Sequence, residues 1–172
     1  MIKNWNWKLM FILSGICIFF LAIYSYILYS FNIIPLGGKK APSFIFVLLS
    51  QWYLIYQFDK KKLNIGVHFL YLFLYQYVFL ILAGILTAIV LYVFFNSNIG
   101  MILIDQYISF NLAQVQQFKG QILETESPEF IDGLIAGIKE ISAYSIAKDD
   151  ISVKIALGFL PNLLISLYYK KG

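Results

Sequence analysis

From Leu9 to Phe31 the chain runs for 23 residues without a charged side chain. Coiled as a helix at about 1.5 Å per residue, this segment exceeds the ~30 Å hydrocarbon core of a bilayer. In lipid its backbone groups have to be satisfied within the segment, and a helix does that. Lys3 and Lys8 precede it, as basic residues precede a secretory signal. The run is nevertheless longer than the ~7–15 apolar residues of such a signal, and no small-x-small cleavage site is clear, so it is read as an uncleaved anchor.

Three further uncharged runs follow the same logic. Ile33, Pro35, Gly37, Gly38, Lys39 and Lys40 form a turn, after which Ala41–Phe58 runs uncharged to Asp59, Lys60, Lys61 and Lys62. Eighteen residues give only about 27 Å, so this is the weakest span. Leu63–Phe95 is too long for one crossing, and Asn64, Gly66 and His68 place its first part at the interface, leaving about 70–95 as the span. The last run, 151–169, holds Lys154 one turn inside, Pro161 and Asn162 at its middle, and Lys170 and Lys171 at its end. A membrane helix tolerates the proline when neighbours satisfy the freed carbonyl, and Lys154 is expected to snorkel to the headgroups. The fold expected is all-α: one polytopic membrane helix bundle with about four transmembrane helices, spanning 9–31, 41–58, 70–95 and 151–169.

Between the third and fourth spans the character changes. Residues 98–150 hold Asp105, Glu124, Glu126, Glu129, Asp132, Glu140, Asp149 and Asp150 against Lys119, Lys139 and Lys148. Ile104, Ile108, Leu112, Val115, Phe118 and Ile122 recur at helical spacing. Ser127, Pro128 and Glu129 read as an N-cap, an N1 proline and a first-turn acid, opening a second stripe of Ile131, Leu134, Ile135, Ile138 and Ile141. Two amphipathic helices broken near Ser127 are expected. Leu134, Ile135, Ile138 and Ile141 form the candidate interaction surface, since apolar stripes of that length need cover.

Composition narrows the chemistry. The chain is 60% apolar and 13% charged, where a soluble domain carries about a quarter charged residues. Its net charge of +4 sits at the flanks of the runs, which fits anionic headgroups and not nucleic acid. Lys3 and Lys8, Lys60 to Lys62, and Lys170 and Lys171 share one side in a four-span layout, placing both termini in the cytoplasm; Lys39 and Lys40 are the exception. Trp5, Trp7, Trp52, Tyr53, Tyr56, Tyr168 and Tyr169 gather at the same interface. All basic residues are lysine, and Ile, Asn, Phe and Tyr abound, as in an AT-rich bacterial genome; the location expected is the bacterial cytoplasmic (inner) membrane.

With one histidine, His68, and one cysteine, Cys17, a single chain lacks the usual ligands of a zinc site, a bis-histidine haem or a Cys-His nucleophile. Cys17 is read as a small apolar residue facing lipid, and His68 as a polar helix end. Gly37 to Lys40 is read as a turn, since the spacing of a phosphate-binding loop is missing. Asp149 and Asp150 are read as solvated loop charge. Gln51, Gln76, Thr87 and Asn162 lie inside the runs and are expected to bond between helices, with Ala83, Gly84 and Ala88 allowing close approach. No catalytic residue, metal site or cofactor is expected.

The exit of the second run (Tyr56, Gln57, Phe58, Asp59, Lys60, Lys61), the Gln-rich helix (Gln106, Gln114, Gln116, Gln117, Gln121) and the final run from Phe159, Leu160, Pro161 and Asn162 to Lys171 resemble the domain of unknown function 4199 family. These are small bacterial membrane proteins, mainly of Bacteroidota. The likeness covers most of the chain in layout and implies no activity. Two functions remain open: a non-enzymatic structural or accessory subunit acting on a membrane-protein partner or as a homo-oligomer, and an oligomeric small-solute transporter or channel component. The absence of ionisable groups inside the runs separates them in favour of the first.

Overall fold

The computed structural model describes residues 5–61 and 68–170, apart from the side chains of 58–61. The side chains of Lys60 and Lys61, and all of Lys3, Lys62, Asn64, Gly66 and Lys171, lie outside the described residues, so the lysine clusters used for orientation are only partly represented. Every regular element among the described residues is helical: α1 (Trp7–Ser30), a 3₁₀ segment (Gly37–Phe44), α2 (Ile45–Lys61), α3 (Phe69–Phe95), α4 (Asn98–Leu123), α5 (Pro128–Lys139) and α6 (Ala143–Tyr169). Three of them, α1, α3 and α6, are long and apolar enough to cross a membrane. α2 has 17 residues.

Local chemistry explains the helix ends. The Asn6 side chain accepts from the Leu9 amide at 3.1 Å and caps α1. Asn32 (φ 56°) and Gly37 (φ 57°) take the left-handed backbone that ends α1 and opens the turn to α2. Ser97 caps α4 through the Gly100 amide. Ser127 caps α5 with Pro128 beside it, at the break expected from the sequence. The Ser127 hydroxyl also bonds Glu129 and holds that exposed carboxyl below the usual carboxylate range.

Residue contacts divide the chain into two units. The first comprises the chain up to Val90 together with Lys148 onward. Its core is built from Met10, Leu13 and Cys17 of α1, Val47, Leu54 and Ile55 of α2, and Leu72, Tyr75, Phe79, Leu80 and Ala83 of α3. The close approach expected at the small residues of α3 is made by α6: a β-carbon on Gly84 would lie 3.7 Å from the Ile151 backbone, in ordinary contact. Gly158 leaves room for the Leu80 methyls, which a β-carbon there would meet at 2.7 Å. α6 runs through Pro161 without ending.

The second unit, Leu91–Ala147, is mainly the pair α4 and α5. The α4 stripe is half-buried at Ile108, Leu112, Val115 and Ile122 and buried at Ile104, while Phe118 is exposed. On α5, Ile131 is buried, Ile135 and Ile138 are half-buried, and Phe130 and Leu134 are exposed. Both expected helices form, and each stripe is covered only in part.

Candidate functional site

The chemistry of the first unit gathers on one winding face of α6. Asp150, Lys154, Gly158, Asn162 and Ser166 follow one another at intervals of four, which on a helix of 3.6 residues per turn makes a slowly rotating stripe. All four polar members are buried.

Two of the sequence expectations fail here. Asp150 is not a solvated loop charge: α6 begins seven residues earlier, at Ala143, and carries Asp150 into the interior at 3% exposure, leaving Asp149 exposed. Lys154 does not snorkel outward: it is 7% exposed and bonds Asp150, one turn away on the same face. Lys40, from the 3₁₀ segment, reaches the other Asp150 oxygen at 2.7 Å, and Thr87 of α3 donates to Asp150 at 2.8 Å. One carboxylate therefore joins the α1–α2 connection, α3 and α6. The expectation that the helices hold no buried charge is overturned by this ion cluster. The cause is geometric, since the four-residue spacing of Asp150 and Lys154 lets each neutralise part of the other's burial cost.

Two helical steps on, past Gly158, the lane is neutral. Gln76 donates to Ser166 Oγ at 2.8 Å, Ser166 bonds Asn162 Oδ1 at 3.3 Å, and Asn162 donates to the Phe73 carbonyl at 3.2 Å. The interhelical role expected of Gln76, Thr87 and Asn162 is what the structure shows. Gln51 departs from it: it is fully buried, and neither side-chain amide atom has a hydrogen-bond partner among the described residues. The Ser14 hydroxyl is likewise buried without a partner among the described residues.

Cys17 is also placed differently from the expectation. It is buried, not lipid-facing, with its sulfur 3.3 Å from Ser50 Oγ and 3.6 Å from the Phe46 carbonyl. His68 is exposed just before α3, where its carbonyl accepts from the Tyr71 and Leu72 amides, a helix-end position.

The buried charge left a trace in the sequence, namely an acid and a lysine four apart at the edge of an apolar run. Lys40 could not be paired with them across 110 positions. Among the described residues, no three His, Cys, Asp or Glu side chains are grouped to hold a metal ion. Comparison with family models, with curated proteins and with solved structures found no match.

Proposed function

We propose that the protein is a non-enzymatic accessory subunit of a membrane complex, acting through the α4–α5 pair. The observation that carries this is a pair of exposed apolar side chains, Phe130 and Leu134 (37% exposed), one turn apart on α5. They sit within an acidic surround: Asp105, Glu124, Glu126, Glu129, Asp132 and Glu140 outweigh Lys119 and Lys139 in this unit. That charge disfavours anionic headgroups and a second copy of the same acidic face. It suits a protein partner with an apolar centre and a lysine- or arginine-rich rim.

Of the four residues singled out in the sequence, Ile135, Ile138 and Ile141 are half-buried, so a substitution there would also disturb internal packing. Phe130→Asp with Leu134→Asp avoids this. The double variant is expected to reach the membrane fraction in normal amount and to lose a stoichiometric partner that the natural chain retains at low salt and releases at high salt. Retention of that partner by the variant would remove the basis of the proposal.

The same reading places four crossings in a bacterial inner membrane, with α2 as the short fourth and both termini cytoplasmic. Reporter fusions after Gly38, Lys62, Gln121 and Gly172 should read outside, inside, outside and inside in turn. An outside signal at Lys62 would mean that α2 does not cross.

The ion cluster favours a second reading, a small-solute transporter or channel component. Ionisable groups inside a membrane bundle commonly mark solute or ion pathways. Detergent-extracted protein that migrates as a homo-oligomer without a partner would support this reading over the first.

A further inference from the structure

The cluster around Asp150 is unbalanced in charge and in hydrogen bonds. Both carboxylate oxygens are engaged, one by Lys40 and the other by Lys154 and Thr87. Two ammonium groups thus share one carboxylate. Each ammonium carries three N–H donors, and each has only one hydrogen-bond acceptor among the described residues, Asp150. An unmatched buried cation is costly unless a counter-charge joins it. The group that would complete this cluster is therefore an anion with several acceptor oxygens.

A second observation points the same way. The fully buried Gln51 amide has no hydrogen-bond partner among the described residues. It follows Ser50, which contacts Cys17. Ser14, three residues before Cys17, has a buried hydroxyl without a partner among the described residues. Buried polar groups in native proteins are nearly always bonded to protein, water or ligand. Among the described residues, unused donors therefore occur in the cation cluster and also within the same unit, at Ser14 of α1 and Gln51 of α2.

Access is graded from the surface inward. Lys39 is exposed, the Lys40 side chain is 17% exposed, and the Lys154 side chain is 8% exposed. The Lys39 carbonyl accepts from Tyr24 and the Lys40 carbonyl from Ser43, which fixes the backbone that presents these lysines. α1 is long enough to cross a bilayer and ends at Ser30, so the connection that follows belongs at a membrane boundary, where headgroup phosphates lie.

We propose that Lys40 and Lys154 bind a phosphate-bearing anion, most naturally the phosphodiester of an anionic lipid headgroup, with free phosphate as the other source of the same chemistry. The lysine side chains make this site. The glycine turn at 37–38 supplies no phosphate cradle. The assignment concerns the first unit and does not depend on the role proposed for α4–α5.

The test uses the full chain, purified in a neutral detergent at constant ionic strength. Short-chain phosphatidylglycerol, inorganic phosphate and short-chain phosphatidylcholine are titrated separately, and thermal unfolding is followed. Phosphatidylglycerol is expected to raise the midpoint and phosphatidylcholine is not. A rise with inorganic phosphate as well would assign an open anion site, and a rise with phosphatidylglycerol alone would assign a headgroup site. Lys154→Met leaves one lysine for one carboxylate and should weaken the response by about ten- to hundredfold, the loss expected for one hydrogen bond to a charged group. Lys154→Arg should keep it. Asp150→Asn removes the competing carboxylate, so its midpoint, lower without ligand, should be recovered by phosphatidylglycerol at lower concentrations than the natural chain needs. If Lys154→Met fails to fold, Lys40→Met and Asp150→Asn provide the same comparison. No anion response in the natural chain, an equal response to phosphatidylcholine, or a natural-strength response in both lysine variants would overturn the proposal.

Discussion

Replacement of Asp150 by alanine should destabilise the first unit by about 3–5 kcal/mol, the range for removing one partner of a buried ion pair. The loss would arise less from missing attraction than from what remains: Lys154, buried with no counter-charge, and Thr87, left without the acceptor on α6. Asp150 is also the only side chain bonded to both the α1–α2 connection and α3 among the described residues. Lys154→Met is the informative contrast. It leaves the Lys40–Asp150 pair in place and substitutes an apolar side chain of similar length, a change that is often nearly neutral when a buried charge is removed with good packing. Denaturant unfolding of the purified chain in detergent, without anionic lipid, would compare the two. A loss of less than about 1 kcal/mol for Asp150→Ala would mean that the cluster is solvated and weak, as surface ion pairs are.

Gly100→Ala should be the most damaging small substitution in the second unit, at about 3 kcal/mol, the upper part of the usual range for overpacking. A β-carbon there would lie 2.2 Å from the Phe94 carbonyl oxygen and 2.5 Å from the Phe95 α-carbon. Both are backbone atoms of the preceding helix and have no rotamer through which to move aside. The corner between α3 and α4, where Ser97 caps the Gly100 amide, would have to open. Gly84→Ala should have the opposite sign. Its β-carbon would meet Ile151 at 3.7 Å, an ordinary contact, and alanine in a helix interior gains roughly 0.5–1 kcal/mol over glycine. Hydrogen exchange at the first turns of α4, alongside thermal unfolding, would separate a local opening of the corner from global loss. Equal protection in Gly100→Ala and the natural chain would count against the tight corner.

The helices were legible to different degrees, and the reasons are local. Uncharged length located α1, α3 and most of α6, because a bilayer selects for length and apolarity and both are written along the chain. The break at Ser127 and Pro128 was legible because a cap acts over only three residues. The start of α6 was not. Asp149 and Asp150 look like a boundary when charge is taken to mean exposure, yet the helix passes through both, and only Asp150 turns inward.

The candidate site was less visible for a related reason. Gln76, Thr87 and Asn162 could be marked as polar residues within apolar runs, but which of them would find a partner depends on helix facing, and Gln51 is buried without one among the described residues. The stripes on α4 and α5 were visible as stripes. Their division into a packed part, at Ile131, and an exposed part, at Phe130 and Leu134, was not.

By itself, then, the sequence determined that the chain is helical, that it carries long charge-free helices suited to a bilayer, read there as four where the structure has three long and apolar enough, and that an acidic helical pair lies between two of them. Periodicity, charge-free length and caps act between residues a few positions apart, so one dimension is enough to read them. Only the tertiary structure decided that Lys40 meets Asp150 across 110 residues, that Cys17 faces Ser50 and not lipid, and that two ammonium groups share one buried carboxylate. Those facts depend on which faces of separate helices meet, and the electrostatic cost of burial that makes them matter arises only once the helices have packed.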